Sequence, residues 1–146
     1  MFTHSCKDFN DLTPAEIYAI LRLRSEVFVV EQNCVFLDAD NKDQYCSHVM
    51  VSAPLLVACS RLVPAGISYA EMSIGRVVSH PSARGTGAGK FLMERSLEYL
   101  YDKFGHGPVR IGAQLYLKRF YESFGFSQVS EIYDEDGIDH ILMLKP

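Results

Sequence analysis

A glycine-rich turn is the stretch of this 146-residue chain best suited to bind an anion. It runs from Arg84 to Lys90, between a predicted strand that Pro81 stops and a predicted helix that extends to about Phe104. The first N–H groups of a helix have no partner inside the helix, and the helix dipole adds about half a positive charge there. The turn is therefore predicted to hold phosphate groups on its backbone. An ordinary glycine-rich turn without a ligand is the alternative.

The spacing of the glycines limits which phosphate ligand fits. A Walker loop would need a glycine where Arg84 stands and a magnesium-binding hydroxyl where Phe91 stands. A dinucleotide fingerprint needs Gly-x-Gly-x-x-Gly, whereas Gly85, Gly87 and Gly89 are spaced two and two. Neither pattern is met, although a nucleotide such as ATP on the same turn stays open as an alternative.

Tyr121 is a second residue that could do chemistry. Together with Leu117, Phe120 and Phe124 it forms the apolar face of a short helix predicted from Leu115 to Phe124. A phenol on a buried face needs a hydrogen-bond partner. The pattern leaves open a core tyrosine bonded to a carbonyl and a tyrosine that acts on a substrate.

The elements that must position these residues follow the order β-α-β-β-β-α-β-α-β-β. Thr13, Pro14 and Glu16 form a capping box with proline at the first helical position. The predicted strands are 1–9, 47–51, 55–63, 69–79, 109–113, 126–134 and 138–144, and the predicted helices are 14–29, the one after the glycine turn, and 115–124. A right-handed crossover makes 69–79 and 109–113 parallel neighbours. This is an α/β (α+β) fold with a mixed, mostly antiparallel central sheet flanked by helices, in a single domain over residues 1–146.

Two motifs in this order resemble the GNAT N-acetyltransferase family. Arg84-x-x-Gly87-x-Gly89 after a strand resembles the acetyl-CoA pyrophosphate loop of that family. Tyr121-x-x-x-Gly125-Phe126 resembles its tyrosine motif, and Gln114 stands where the family has an asparagine. The stretch Leu23–Cys34 and the segment Asp136–His140 are similar to the ElaA-like branch.

The resemblance implies an acyltransferase that moves an acyl group, most simply acetyl from acetyl-CoA, to a primary amine of a small molecule or peptide by direct attack. The residues implied in acetyl-CoA binding are Val77, Val78, Arg84, Gly85, Thr86, Gly87, Ala88, Gly89, Lys90, Gln114 and Tyr121. A CoA-binding module without catalysis is the alternative in another functional class.

The implied chemistry assigns roles to individual residues. The attacking amine must lose a proton, and Glu71, thirteen residues before Arg84, resembles the glutamate base of the histone acetyltransferase members. His140 is the other candidate base; a solvated Glu71 and a packed His140 are the alternatives. A backbone N–H near Val77 or Val78 is expected to bind the oxyanion, and Tyr121 to protonate the departing thiolate.

Arg24 is an arginine on the apolar stripe of the first predicted helix. Its stem could pack while its head reaches water, but we predict an inward guanidinium paired with a carboxylate. The candidate partners are Glu31, Asp38, Asp40 and Asp43. The three aspartates lack the glycine and glutamate of an EF-hand loop, so they are predicted to form a solvated acidic loop rather than a metal site, one that could attract a cationic amine.

Composition excludes several classes of function. A net charge of −4 with scattered Lys and Arg argues against nucleic acid as a partner. No apolar run approaches the roughly 20 residues that span a bilayer, and the first residues lack a signal-peptide pattern, so a cytoplasmic location is expected. The four cysteines form no C-x-x-C pair and are expected to be reduced thiols without zinc. A homodimer is left open.

Overall fold

The computed structural model describes residues 1–146, and the strands form two four-stranded sheets. The elements are β1 (Thr3–Asp8), α1 (Pro14–Arg24), β2 (Ser47–Ser52), β3 (Leu56–Val63), β4 (Ser73–Ser79), α2 (Ala88–Phe104), β5 (Val109–Gln114), α3 (Lys118–Glu122), β6 (Ser127–Gln128), β7 (Tyr133–Glu135) and β8 (Ile138–Lys145). The first sheet has the order β1-β2-β3-β4; in the second, β8 lies between β5 and β6 and also pairs with β7. Every strand pair within the two sheets is antiparallel, and the one bridge between the sheets is parallel. This confirms the predicted mixed, mostly antiparallel arrangement flanked by helices, although it is divided into two sheets rather than one.

Helices cover both faces of the first sheet. Val49 and Val51 of β2 belong to the core that α2 fills with Leu92, whereas Met50 between them packs in a separate cluster with Leu23 of α1. Successive strand residues point to opposite faces, so α1 and α2 lie on opposite sides of the sheet. No helix is both long and apolar enough to cross a membrane.

The first helix begins as predicted and ends differently. Glu16 N–H donates to the Thr13 hydroxyl at 3.1 Å and the Glu16 carboxylate accepts from Thr13 N–H at 2.9 Å, which completes the capping box. The predicted α-helix to residue 29 stops at Arg24, and a wider π-helical stretch, Ser25–Glu31, continues it. Apolar spacing does not distinguish these two helix types over so short a stretch.

Backbone hydrogen bonds join the two sheets only where β4 begins. Met72 and Val109 form a single parallel bridge, and Arg110 N–H donates to the Met72 carbonyl at 3.1 Å. Beyond this point no backbone hydrogen bond joins β4 to β5, so two strand edges face an open gap. The prediction that these two strands are parallel neighbours is thus confirmed where β4 begins, and the strands separate beyond that point. The strand predicted for 69–79 begins only at Ser73.

A bulge bends β4 beside this gap. Gly75 lies opposite Arg61 and Val78 lies opposite Cys59, so three steps along β4 match two along β3. The extra residue lies next to Arg76, whose φ of 46° is in the left-handed region. Such a conformation costs energy for a residue with a side chain, so its surroundings must hold it.

The last hairpin is less regular than predicted. The expected strand 126–134 is divided into β6 and β7, because Gln128 lies opposite Met143 and Tyr133 lies opposite His140. Five steps along this segment therefore match three along β8. In the interruption the Ser130 hydroxyl accepts from Leu142 N–H at 2.8 Å and replaces a backbone acceptor. The helix predicted for 115–124 likewise starts as a 3-10 turn, Leu115–Leu117, before α3.

Candidate active site

A cavity of about 680 Å³ lies in the gap between β4 and β5. Its walls are β4, the glycine turn, the start of α2, β5, α3 and the turn between β7 and β8. The structure brings most of the predicted site residues to this cavity: Val77, Val78, Arg84, Gly85, Gly87, Ala88, Gly89, Lys90, Gln114, Tyr121 and His140. Two predicted residues, Thr86 and Glu71, do not line it.

The glycine turn offers free backbone donors at one end of the cavity. The N–H groups without an acceptor in the protein are those of Gly85, Gly87, Ala88, Gly89 and Lys90. Arg84 N–H and Thr86 N–H are already bonded to the carbonyls of Pro81 and Ala83, both at 3.3 Å. The backbone donors that remain for the predicted anion site are therefore those of the other five residues. Gly87 caps α2 with a φ of 88°, a conformation that favours glycine.

The Arg84 side chain is engaged across the cavity mouth. Its guanidinium holds the Glu31 carboxylate with two hydrogen bonds, Nη2 to Oε1 at 2.6 Å and Nη1 to Oε2 at 2.5 Å. These hydrogen bonds hold the pKa of Glu31 below its ordinary value. The pair ties the glycine turn to the end of the π-helical stretch.

Two glutamine side chains meet at the opposite wall. The Gln32 and Gln114 amides exchange hydrogen bonds, with Nε2 of Gln32 donating at 3.2 Å and Nε2 of Gln114 donating at 3.3 Å. Gln114 was predicted as a CoA contact in place of the family's asparagine. Its amide lies at the cavity but is shared with Gln32, a partner that the sequence did not indicate.

The Tyr121 hydroxyl faces the cavity without a protein partner. The side chain is only 6% exposed, and its ring packs edge-on against Phe120 and Phe126. No hydrogen bond of the protein uses the hydroxyl. Its oxygen is not fully enclosed by protein atoms, so a ligand in the cavity can reach it. Burial raises the pKa of Tyr121, which keeps the phenol protonated at neutral pH. A core tyrosine bonded to a carbonyl, the alternative in the sequence, is therefore not what the structure contains.

His140 also lines this cavity, and it lies opposite Gln114 in the β5–β8 register. Its Nδ1 lies 2.8 Å from the Ile138 carbonyl, which can only accept, so Nδ1 carries a hydrogen in this arrangement. In the neutral ring Nε2 is then unprotonated, and it lies 3.2 Å from the Glu135 carboxylate.

Glu71 lies away from the cavity and is occupied by another residue. Arg110 binds both of its oxygens, Nε to Oε1 at 2.9 Å and Nη2 to Oε2 at 3.0 Å. The hydrogen bonds from Arg110 lower the pKa of Glu71, which makes this carboxylate a weaker base. The geometry thus gives no support to Glu71 as the general base.

A closed ring of ion pairs supports the bulge in β4, and it was only partly predicted. In order around the ring, its members are Arg24, Asp38, Arg76, Asp40, Arg61 and Asp43. Arg24 faces inward and pairs with two of the predicted carboxylates, at 2.8 Å in both cases, which confirms that prediction. The solvated acidic loop is wrong, because Asp38 is 7% exposed and all three aspartates are paired with arginines.

Arg76, in the bulged part of β4, is held by this Arg–Asp ring. Arg76 Nη2 donates to the Asp38 carbonyl at 3.0 Å, and its Nε lies 2.9 Å from Asp38 Oδ1 without hydrogen-bond alignment. The Arg76 guanidinium also lies 5.8 Å from the centre of the Phe36 ring. These contacts fix the strand edge that carries Val77 and Val78 to the cavity.

A family model described as an acetyltransferase (GNAT) domain matches residues 28–145, and the chain belongs to this family. It is 39% identical to the protein ElaA of Escherichia coli over 93% of this chain and 91% of that protein. The crystal structure of Escherichia coli ElaA covers all of both chains with a TM-score of 0.93. An acyl-CoA N-acyltransferase from Pseudomonas aeruginosa, 40% identical, covers all of both chains with a TM-score of 0.95. The ElaA-like resemblance is confirmed, and the protein is an acyltransferase that uses an acyl-CoA.

The residues in the cavity fit an acyl-CoA. A diphosphate matches the free N–H groups of the glycine turn at the positive end of α2. The unpaired edge of β4 matches the extended amide groups of a pantetheine arm, which can add to a sheet edge as a peptide strand does.

Proposed function

We propose that this protein transfers an acetyl group from acetyl-CoA to a primary amine of a small molecule or peptide by direct attack, with residues 1–146 acting as one domain. One observation carries the proposal. The free donors of the glycine turn and the unpartnered Tyr121 hydroxyl face the same cavity. A group with phosphates at one end and a leaving sulfur at the other would satisfy both.

Backbone donors bind and orient the thioester in this proposal. The N–H groups of Gly85 and Gly87–Lys90 hold the diphosphate, and Lys90 adds a positive charge that no carboxylate of the protein neutralises. Gln114 contributes its amide at the cavity wall. A backbone N–H at Val77 or Val78, on the bulged edge of β4, donates to the oxygen that gains negative charge as the amine attacks.

His140 is the proposed general base. Its Nε2 accepts the proton of the attacking amine, because Nδ1 is held as a donor by the Ile138 carbonyl. The Glu135 carboxylate lies 3.2 Å from this nitrogen and is exposed enough to relay the proton to water. Tyr121 acts at the other side of the reacting carbon, where its hydroxyl donates a proton to the departing thiolate.

Amine-dependent release of the CoA thiol tests the proposal. Acetyl-CoA and a panel of primary amines are expected to give free thiol and a product heavier by one acetyl group. Release without any added amine, or none with any amine, would contradict it. Longer acyl-CoA donors in the same assay determine which acyl group the cavity accepts.

Thermal shifts separate the two alternatives. A CoA-binding module would be stabilised by acetyl-CoA and release no thiol. A nucleotide-binding protein would be stabilised more by magnesium ATP than by acetyl-CoA. We expect the larger shift with acetyl-CoA, because the turn lacks the magnesium-binding hydroxyl of a Walker loop.

A further inference from the structure

The cavity carries opposite charges at its two ends. Lys90 and the free N–H groups lie at the glycine turn, whereas Glu135 and Asp136 lie at the turn between β7 and β8. The Asp136 carboxylate has no ion pair and no hydrogen bond in the protein. Resting on the acetyl-transfer function above, we propose that the acceptor is an amine with a second positive charge, which Asp136 binds while the attacked amine lies beside His140 and Glu135.

The position of Asp136 is fixed by the fold. Asp136 and Gly137 form the two-residue turn between β7 and β8, with φ values of 54° and 82°. The Asp134 carboxylate accepts from Gly137 N–H at 3.3 Å, and the Cys34 thiol donates to the Asp136 carbonyl at 3.2 Å. The turn is thereby attached to the other wall of the cavity, which fixes the backbone that carries the Asp136 carboxylate.

An unpartnered hydroxyl marks the cavity as a place for a polar ligand. The Tyr121 hydroxyl, on a residue that is 6% exposed, faces the cavity with no partner in the protein. A protonated phenol keeps oxygen lone pairs that can accept from an ammonium group.

Strand geometry limits the spacing of the two positive charges. Tyr133 lies opposite His140 and Glu135 lies opposite Ile138, so these side chains share one face of the β7–β8 hairpin. At about 3.4 Å per residue along β8, plus the turn, the Asp136 and His140 backbones are about 10 Å apart. An amine that lies beside His140 therefore needs its second positive charge several carbons away to reach the Asp136 turn, which a diamine such as 1,4-diaminobutane provides.

The same charges disfavour other amines. An α-amino acid would bring its carboxylate toward Glu135 and Asp136, where like charges repel. A monoamine would leave the Asp136 carboxylate without a partner. Selectivity between amines of equal length therefore reports on this residue.

Acetylation rates of 1,4-diaminobutane and butylamine test the proposal, because the two have the same length and differ by one charge. The wild-type kcat/KM is expected to be at least tenfold higher for the diamine, as for a hydrogen bond to a charged group. Asp136→Asn should reduce this ratio about tenfold, mainly through KM of the diamine. Asparagine tolerates a positive φ, so the turn should be preserved. The matched control is Asp139→Asn, which removes one charge from the other face of β8 and should leave the ratio unchanged.

Two results would overturn the proposal. One is equal kcat/KM for both amines in the wild type, and the other is an unchanged ratio in Asp136→Asn. If no amine is acetylated, the acetyl-transfer function itself fails. Calorimetric titration of 1,4-diaminobutane into the wild type and Asp136→Asn then tests the charge proposal independently. Only the wild type should bind the diamine. Equal binding to both proteins, or no binding to either, would contradict the role of Asp136.

Discussion

Arg24 donates two hydrogen bonds to the Asp43 carboxylate, Nη1 to Oδ1 at 2.8 Å and Nη2 to Oδ2 at 3.2 Å, at a place where Arg24 is only 1% exposed. This pair closes the Arg–Asp ring, which joins α1, β3 and the bulge in β4. The charges of the ring balance, and each arginine contacts two aspartates. The bulge beside the cavity is therefore held by these ion pairs as well as by the pairing of β4 with β3.

Removing Arg24 should destabilise the protein strongly. Arg24→Met leaves the buried Asp38 and Asp43 carboxylates with one arginine each, and breaking a buried ion pair typically costs about 3–5 kcal/mol. Denaturant unfolding measures the loss. Arg22→Met on the exposed face of the same helix is the control and should change stability by less than about 0.5 kcal/mol. Equal effects of both changes would mean that the ring does not support the fold.

The ring should also make stability fall in acid. Burial alone would raise the pKa of Asp40 and Asp43, but hydrogen bonds and charges from Arg61 and Arg24 outweigh it and lower both pKa values. A carboxylate with a lowered pKa contributes stability that is complete above its unfolded pKa of about 4 and is lost as pH falls toward the folded value. The free energy of unfolding should therefore decrease steadily below about pH 4. A flat profile between pH 4 and 2 would contradict this account.

Local signals in the sequence predicted most of the fold. The Thr13 capping box, the glycines before α2 and the Asp136-Gly137 turn each determine the structure within a few residues of themselves. The inward Arg24 was also predictable, since a charge on an apolar stripe needs a partner. Arg61 and Arg76 were not, because their pairing with Asp40 depends on the β3–β4 register and on the bulge. Long-range register is not contained in any single stretch.

Local signals in the sequence also predicted part of the candidate site. The glycine turn, Tyr121 and His140 carry local patterns, and all reach the cavity. Glu71 was assigned from its distance to Arg84 along the chain, which does not reveal that Arg110 binds it. The roles of Gln32 and Glu135 depend on contacts between segments far apart in sequence, so no local signal indicated them.

The backbone of the glycine turn should matter more than its charges for acetyl-CoA binding. Gly87→Val forces a β-branched residue to a φ of 88°, although no atom lies within 4 Å of the added Cβ. The loss of affinity must then arise from displaced N–H groups, and we expect it to exceed tenfold. Lys90→Ala should weaken binding only severalfold and less at high salt. Calorimetric titration of both variants decides, and equal losses would contradict the backbone account.

His140 and Glu71 provide a matched test of the general base. His140→Gln should lower kcat by about 10²–10⁴, the usual contribution of a positioned base, and leave the affinity for acetyl-CoA intact. Glu71→Gln should keep kcat within about twofold, since this carboxylate lies outside the cavity and is bound by Arg110. Steady-state rates at saturating amine measure both. The opposite order of effects would restore Glu71 as the base.

The rate of thiol release by Tyr121→Phe tests acyl transfer at this site most directly. The variant removes the hydroxyl and keeps the ring that packs on Phe120 and Phe126, so fold and acetyl-CoA affinity should be preserved. At saturating acetyl-CoA and amine, kcat should fall by about 10²–10⁴, and the fall should be smaller for an acyl donor whose thiol is more acidic. Turnover at the wild-type rate would contradict the account, because the one unpartnered hydroxyl of the cavity's α3 wall would then have no part in the reaction.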